Sequence, residues 1–268
     1  MRLDVSRSGR LSTQPRIIST PQSFEKGIDI IKDTLEKIGT GHKLDGIVIG
    51  IAGSLNEDKS ALDGSPHLPN WIKKPLKERL STLFDAPVIL ENDTALVGLG
   101  EATAGAGRNH DIVAYLTVST GFGGVRIVNK NIDHNRLGFE PGHQIISYRG
   151  EPFEEVPQVT TLEKIISGSA ILKRFGKSGE LVKDPKVWEE ANRWTAFGVI
   201  NTILYWSPDI VVIGGSVSEN LSAEKIQNHI RDNLSIFSRI PKVVKAELGN
   251  SGGLYGGLYL IESKSLAN

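Results

Sequence analysis

The chain has 268 residues, its 31 basic side chains balance 31 acidic ones, and it contains no cysteine. The balanced charge does not favour binding to nucleic acid or to an anionic membrane surface. The lack of cysteine excludes disulfides, thiolate chemistry and cysteine-based zinc sites. No apolar run approaches the length of a membrane span, and residues 1–5 lack the pattern of a signal peptide. We therefore expect a soluble, cytoplasmic protein of one or two domains.

Strands and helices alternate through the first half of the chain, which is typical of an α/β fold. In chain order the predicted elements are two short strands at 2–5 and 16–19 around a turn at Ser8-Gly9, a helix over about 22–37, a buried strand at 45–51, a long polar segment at 56–70, a helix over 71–83, a strand at 87–90 and a helix over 94–105.

The second half continues this alternation and adds a hairpin. The predicted elements are a strand at 111–118, a glycine-rich turn, a strand at 125–128, helices over 161–175 and 185–206, a strand at 210–213 that ends in Gly214-Gly215-Ser216, a helix over 223–237, a strand near 243–248 and a final helix over 252–261.

Two neighbouring stretches indicate chemistry. The strand that ends at Leu90 is followed by the polar triplet Glu91-Asn92-Asp93, and the next strand ends in Ser119-Thr120-Gly121-Phe122-Gly123-Gly124. Open α/β folds place their active sites at such strand ends. Backbone amides in glycine turns bind phosphate, so a carboxylate base beside such a turn suggests phosphoryl transfer to a hydroxyl.

Beyond these stretches, the whole pattern resembles the ROK family of sugar kinases and related repressors, over most of the chain. The matching pieces, in the family's order, are Gly50-Ile51-Ala52-Gly53, Asn70-Trp71, Glu91-Asn92-Asp93, Thr120-Gly121-Phe122-Gly123-Gly124, Glu140-Pro141-Gly142-His143, Leu162-Glu163 with Ser167-Gly168, Pro208-Asp209 with Gly214-Gly215, and Leu248-Gly249-Asn250-Ser251-Gly252-Gly253-Leu254-Tyr255-Gly256. Each piece alone is weak evidence for the family, and the resemblance rests on their occurrence in the same order.

The resemblance implies a two-lobed actin-like ATPase fold of α/β class, with the active site in the interlobe cleft. The first lobe would comprise 1–110 joined by the C-terminal helix 252–268, and the second 111–251. The implied activity is an ATP- and Mg²⁺-dependent sugar kinase that acts on a hexose or an N-acetylhexosamine. Its partners would be a small-molecule sugar and a nucleotide, and relatives are often homodimers.

On this reading Asp93 is the general base that accepts the proton of the sugar hydroxyl. Asn92 would hydrogen-bond the sugar. The alternative for Asp93 is the cap of the helix that begins at Thr94, a common role for aspartate.

Four further residues would bind sugar hydroxyls: Asn70, Glu140, His143 and Glu163. Each has an ordinary alternative. Asn70 is also suited to cap the helix predicted from Trp71. His143 is also suited to a packed position near a domain interface, and Glu163 to an exposed helix surface.

The nucleotide would lie on two turns. Thr120, Gly121, Gly123 and Gly124 would form the phosphate turn, because glycine adopts positive φ and lets backbone N–H groups approach an anion. Gly214 and Gly215 would form the turn on the adenosine side. An ordinary hairpin and an ordinary strand-to-helix connection are the alternatives. Ser119 replaces the glycine that usually opens the first of these turns.

The chain departs from the family in two respects. It begins where relatives have their second strand, so the first strand and its Asp-Gly-Gly-Thr-Lys phosphate turn are absent from this sequence. We expect Met1 to be an internal methionine or the start of a truncated chain. Relatives also hold structural zinc with one histidine and three cysteines. Here His143 has no cysteine beside it, so no structural zinc is expected, and packing of Pro152, Phe153, Val156 and Pro157 would hold that segment instead.

Two other functions stay open: a sugar sensor without catalysis, as in the repressor branch, and a degenerate kinase that retains only the sugar pocket. The repressors carry an N-terminal DNA-binding segment that this sequence does not contain. The residues alone do not decide the identity of the hexose, ATP against polyphosphate as donor, or the oligomeric state.

Overall fold

The computed structural model describes residues 1–11, 15–149 and 158–265. The chain divides into two compact units. Unit 1 comprises Met1–Thr103 and the segment from Asn250 onward, and unit 2 comprises Ala104–Gly249. Each unit has its own hydrophobic core. In the described ranges no helix combines the length and the apolar character that crossing a membrane requires.

Unit 1 is built from short strands and four helices in its described part. In chain order they are β1 (Arg2–Leu3), β2 (Arg16–Ile17), α1 (Phe24–Gly39), β3 (Ile47–Ile51), β4 (Ser54–Leu55), β5 (Leu62–Gly64), α2 (Leu76–Phe84), β6 (Val88–Asn92), α3 (Asp93–Thr103) and α8 (Gly252–Ser265). Strands β3 and β6 are parallel, whereas β1–β2 and β4–β5 are antiparallel pairs. The predicted turn at Ser8-Gly9 is confirmed, with both residues at positive φ.

Helix α1 has one apolar face, and this face supplies much of the core of unit 1. Phe24, Ile28 and Leu35 are buried along it, and the Phe24 ring meets the Trp71 ring edge-on at 5.4 Å. The Ser23 side chain caps the helix by accepting the N–H of Lys26. The helix therefore begins two residues later than predicted.

The helix predicted from Trp71 is wrong at its start. Residues Pro69–Trp71 form a 3₁₀ turn, Lys73 has a positive φ, and α2 begins only at Leu76. Pro75 explains the delay, because a proline disfavours helical backbone in the residue before it.

Helices α3 and α8 pack at very short distance through glycines. A Cβ on Gly100 would overlap the Gly252 carbonyl, and a Cβ on Gly256 would overlap the Leu96 carbonyl. The predicted final helix is confirmed and extends to Ser265, so the end of the described chain supports the helix that follows β6.

Unit 2 is organised around one mixed sheet of five strands with the order β13-β12-β7-β8-β9 in the described residues. Its elements are β7 (Ile112–Val118), β8 (Phe122–Val128), β9 (Asn131–Ile132), β10 (Ile145–Arg149), β11 (Gln158–Thr161), α4 (Glu163–Ile166), α5 (Gly168–Phe175), α6 (Pro185–Trp206), β12 (Ile210–Gly214), α7 (Ala223–Asn233) and β13 (Lys242–Lys245). Strands β7, β12 and β13 are parallel, and β7–β8 is the predicted hairpin.

Two predicted helices of unit 2 differ in extent. The helix expected over 161–175 is interrupted at Ser167, whose side chain caps α5 by accepting the N–H of Ala170. Helix α7 ends at Asn233 rather than near 237. Helix α6 has the predicted bounds, and it contributes buried Ala196, Val199 and Ile203 to the core beneath the sheet.

Candidate functional site

The predicted base lies at the corner where β6 becomes α3. Asp93 is the first residue of α3, and its Oδ1 accepts the N–H of Thr94 at 2.8 Å. The side chain is open to solvent, but the protein around it removes part of its hydration, and this burial raises the pKa of Asp93. The N–H groups of Thr94 and of Asp93 itself and the charge of His67 oppose the rise without cancelling it.

Asn92, not Asp93, carries the side-chain cap of α3. Its Oδ1 accepts the N–H of Ala95 at 3.1 Å, and its Nδ2 donates to the Gly53 carbonyl at 3.1 Å. The amide of Asn92 is therefore mostly occupied by the backbone, which leaves one N–H for a ligand. Asp93 therefore does not supply the main side-chain cap of α3, which was the alternative role predicted for it.

Two residues near this corner were missed by the sequence interpretation. Lys59, in the polar segment, donates to the Glu91 carboxylate at 2.5 Å, and Glu91 is buried. His67 lies close enough for its charge to act on Asp93. Strand β6 continues through Glu91 to Asn92, two residues beyond the predicted end at Leu90, and a buried carboxylate inside a strand requires a partner. No pattern in the sequence pointed to Lys59 as that partner.

Asn70 lies in the 3₁₀ turn over Pro69–Trp71 and is exposed. Its predicted alternative, the cap of a helix from Trp71, is wrong because α2 starts after Pro75. The side chain is therefore not needed for a helix cap.

The glycine turn of unit 2 is a tight hairpin loop. The register of β7 and β8 runs to the pair Val118–Phe122, so Ser119, Thr120 and Gly121 form the loop. The expectation of positive φ is wrong here, because Gly121, Gly123 and Gly124 all have φ outside that region.

Space explains two of these glycines instead. A Cβ on Gly124 would lie 2.7 Å from Cγ of Pro141 and 2.9 Å from the Tyr115 carbonyl oxygen. A Cβ on Gly121 would lie 2.7 Å from Oε2 of Glu163. All three distances are below an ordinary carbon contact, and the Tyr115 carbonyl belongs to the backbone, whereas the Glu163 carboxylate is the end of a side chain.

Glu163 connects α4 to this loop. Its Oε2 accepts the N–H of Phe122 at 2.8 Å, so the residue is not a free surface glutamate. Glu140 and His143 lie near it. Burial raises the pKa of Glu140, the charge of His143 lowers it, and the charge of Glu163 raises it further. The structure thus brings together three of the four predicted sugar-binding residues outside the Asp93 corner.

The second glycine turn leaves the same edge of the sheet. Gly214 is paired with Thr117 across the parallel strands β12 and β7, and the hydroxyls of Ser119 and Ser216 are 3.3 Å apart. Gly215 has φ +91°, and a Cβ there would lie 2.6 Å from Oγ1 of Thr117. Glycine is therefore required at this position both for its backbone angle and for space.

The cysteine ligands of the zinc site that many relatives hold are absent from this chain. His143 has no cysteine to accompany it. Among the described residues no three His, Asp or Glu side chains are grouped as metal ligands. The apolar residues expected to replace the metal, Pro152, Phe153, Val156 and Pro157, lie outside the described ranges.

Known proteins with sugar-kinase names match nearly the whole chain. A glucokinase of Halalkalibacterium halodurans is 28% identical over 276 residues, which cover 87% of this chain and 82% of that protein. The crystal structure of a ROK hexokinase from Thermus thermophilus matches with a TM-score of 0.81 and 25% identity, covering 96% of this chain and 94% of that one.

A ROK glucokinase from Streptomyces griseus, solved in complex with glucose and AMPPNP, matches with a TM-score of 0.73 and 25% identity, covering 96% of this chain and 93% of that one. These likenesses confirm the predicted actin-like α/β fold. The model of the ROK family matches residues 5–264. The resemblance seen in the sequence is thereby confirmed, and the chain belongs to the ROK family.

Proposed function

We propose that this protein is a sugar kinase that transfers the γ-phosphoryl group of ATP to a hydroxyl of a hexose or an N-acetylhexosamine. The observation that supports this most directly is the Asp93 carboxylate. It is accessible, it lies at the carboxyl end of a parallel strand, and its pKa is raised. The named glucokinase and hexokinase relatives support the reaction class, and the glucose and AMPPNP of one relative support the two substrates.

Asp93 acts as the general base. A sugar hydroxyl is a poor nucleophile at neutral pH, and a carboxylate that accepts its proton during attack on phosphorus lowers the barrier. A raised pKa makes the carboxylate a better proton acceptor. The cap supplied by Asn92 leaves the Asp93 carboxylate available for this task.

Within unit 1, the proposed ligands of sugar hydroxyls are Asn70 and the remaining N–H of Asn92. Within unit 2, the proposed ligands are Glu140, His143 and Glu163. Carboxylates and imidazole accept and donate the paired hydrogen bonds that vicinal hydroxyls offer. Because Glu163 also accepts the Phe122 N–H, sugar and phosphate recognition share one carboxylate.

The nucleotide lies on the two turns of unit 2. Thr120 and Gly121 form the tip of the hairpin loop, where an N–H and a hydroxyl can meet phosphate oxygens, while Gly123 and Gly124 keep the start of β8 free of side chains. Gly214 and Gly215 provide the turn on the adenosine side. Bound Mg²⁺ would neutralise phosphate charge during transfer.

The test is coupled ADP release over a panel of hexoses and N-acetylhexosamines. Turnover with one sugar establishes the reaction and names the substrate. Folded protein that binds sugar but neither releases ADP nor forms sugar phosphate from polyphosphate would reject the kinase and leave a sugar-binding relative. Polyphosphate replaces ATP in a parallel series, since the site residues do not separate the two donors.

A further inference from the structure

The strand end that carries Asp93 is tied to the polar segment by one ion pair. The Nζ of Lys59 lies 2.5 Å from Oε2 of Glu91. The side chain of Glu91 is only 11% exposed, which makes it the most buried carboxylate among the ion pairs of the described residues. An ionised carboxylate at such a depth requires a partner, and Lys59 supplies it.

Lys59 is held in place by its own turn. Its φ of +50° lies in the left-handed region that residues with a Cβ avoid. Asn56 stabilises this turn, because its Oδ1 accepts the N–H groups of Ser60 and Ala61 at 2.9 Å, and its carbonyl accepts the N–H of Lys59 at 3.0 Å. Strained backbone that the surroundings maintain is typical of functional sites.

The second oxygen of Glu91 continues the connection. Oε1 of Glu91 accepts the N–H of Asn92 at 3.0 Å. Asn92 in turn caps α3 through Ala95 and donates to the Gly53 carbonyl. A continuous series of bonds therefore runs from Lys59 through Glu91 and Asn92 to the residue directly before Asp93.

We propose that Lys59 is a positioning residue, which acts through Glu91 to hold the Asn92–Asp93 corner in the geometry that proton abstraction requires. The inference rests on the proposed function and adds to it a residue outside the predicted site. Lys59 does not act on the charge of Asp93, since the contributions to the Asp93 pKa come from burial, its local hydrogen bonds and His67. Its effect is on position, and small displacements of catalytic groups are costly.

The experiment compares Lys59→Met with two variants. Lys59→Arg keeps the charge. Lys43→Met removes the lysine of the Lys43–Asp85 pair, which has a similar distance of 2.7 Å but is 70% and 89% exposed, and so serves as the matched control in the same unit.

We expect Lys59→Met to lower kcat by about tenfold or more with a sugar KM changed by less than about threefold, because position rather than affinity is lost. Lys59→Arg should regain most of kcat, and Lys43→Met should stay within about twofold of the parent. Amide hydrogen exchange at Asn92 should be faster in Lys59→Met alone, because its acceptor Glu91 is no longer held.

An unchanged kcat in Lys59→Met, with faster exchange at Asn92, would overturn the positioning role while leaving the kinase intact. The positioning role would also be rejected if the amide exchange rate at Asn92 were the same in Lys59→Met as in the parent, whatever the value of kcat. If the parent protein phosphorylates no sugar, the proposed function fails, and the exchange rates still decide whether Lys59 holds the corner.

Discussion

The Asp93 corner of unit 1 and the hairpin loop of unit 2 achieve fixed geometry by opposite means. At the corner, side chains hold the backbone: Asn92 caps α3 and Glu91 accepts both an ammonium and an amide N–H. At the loop, the absence of side chains permits the geometry, since a Cβ on Gly121 or Gly124 would collide with its neighbours. We therefore expect the corner to be sensitive mainly to lost hydrogen bonds, and the loop to added atoms as well as to loss of the Glu163 acceptor.

The largest effect is expected from Asp93→Asn. This change removes the proton acceptor but keeps an amide oxygen for the Thr94 N–H, so we expect kcat to fall by about 10²–10⁴-fold. Sugar affinity should stay within about tenfold, because only the proton transfer of the transition state is lost. Steady-state kinetics and calorimetric sugar titration measure the two quantities.

The matched control is Asp184→Asn, at the N-cap of α6, where asparagine caps as well as aspartate. That variant should keep its activity. An Asp93→Asn protein that retained most of its kcat would remove Asp93 from the role of base.

The next effect tests the turns of unit 2, where added atoms should matter. Gly215→Ala places a Cβ against Thr117 and the Val118 carbonyl at a φ of +91°, so we expect a loss of unfolding free energy of about 2–4 kcal/mol and weaker AMPPNP binding. Gly176→Ala is the control, because Gly176 also has positive φ but open space around its Cα. Equal losses of stability in both variants would show that the backbone angle alone is responsible, and that added atoms do not matter at the turn after β12.

A smaller effect is expected from Glu163→Gln. Glutamine can still accept the Phe122 N–H, but a neutral acceptor is weaker than a carboxylate. We expect kcat/KM to fall by about tenfold, with Glu163→Ala lower still because the buried N–H then lacks its acceptor. If glutamine and alanine are equally active, Glu163 does not link the loop to the sugar.

The smallest effect concerns pH. Asp93 must be ionised to act, and its pKa is raised, so the acid limb of kcat/KM should lie at higher pH than for an ordinary aspartate. The positive charge of His67 lowers this pKa, so removing the charge in His67→Asn should move the acid limb to higher pH still. His42→Asn, a change elsewhere in unit 1, should leave the limb where it is. A limb that moves to lower pH in His67→Asn would show that His67 does not act on Asp93 through its charge.

The sequence predicted the order and type of these elements well because hydrophobic periodicity and turn residues are local signals, whereas the ends of β6, β8 and β13 differ by two or three residues. The strand before Asp93, the hairpin at Thr120 and the bounds of α6 all follow from such signals. The start of α2 was wrong because Pro75 and the left-handed Lys73 outweigh the apolar pattern from Trp71.

The Lys59–Glu91 pair could not be predicted, because it joins residues 32 positions apart through a turn of unusual φ. The reason for glycine at positions 121 and 124 could not be predicted either, because it also depends on residues distant in the sequence. Their neighbours Glu163 and Pro141 come from later parts of the chain, and only the fold brings them near.

The glycine contact between α3 and α8 has a consequence for synthesis on the ribosome. Unit 2 ends at Gly249, so all its residues have been synthesised before α8 is made. The helix that begins with Asp93 must wait for the segment from Asn250 onward, since Gly252 and Gly256 form its closest packing surface. The proposed base is therefore translated before unit 2 but reaches its final surroundings only after unit 2 has been made.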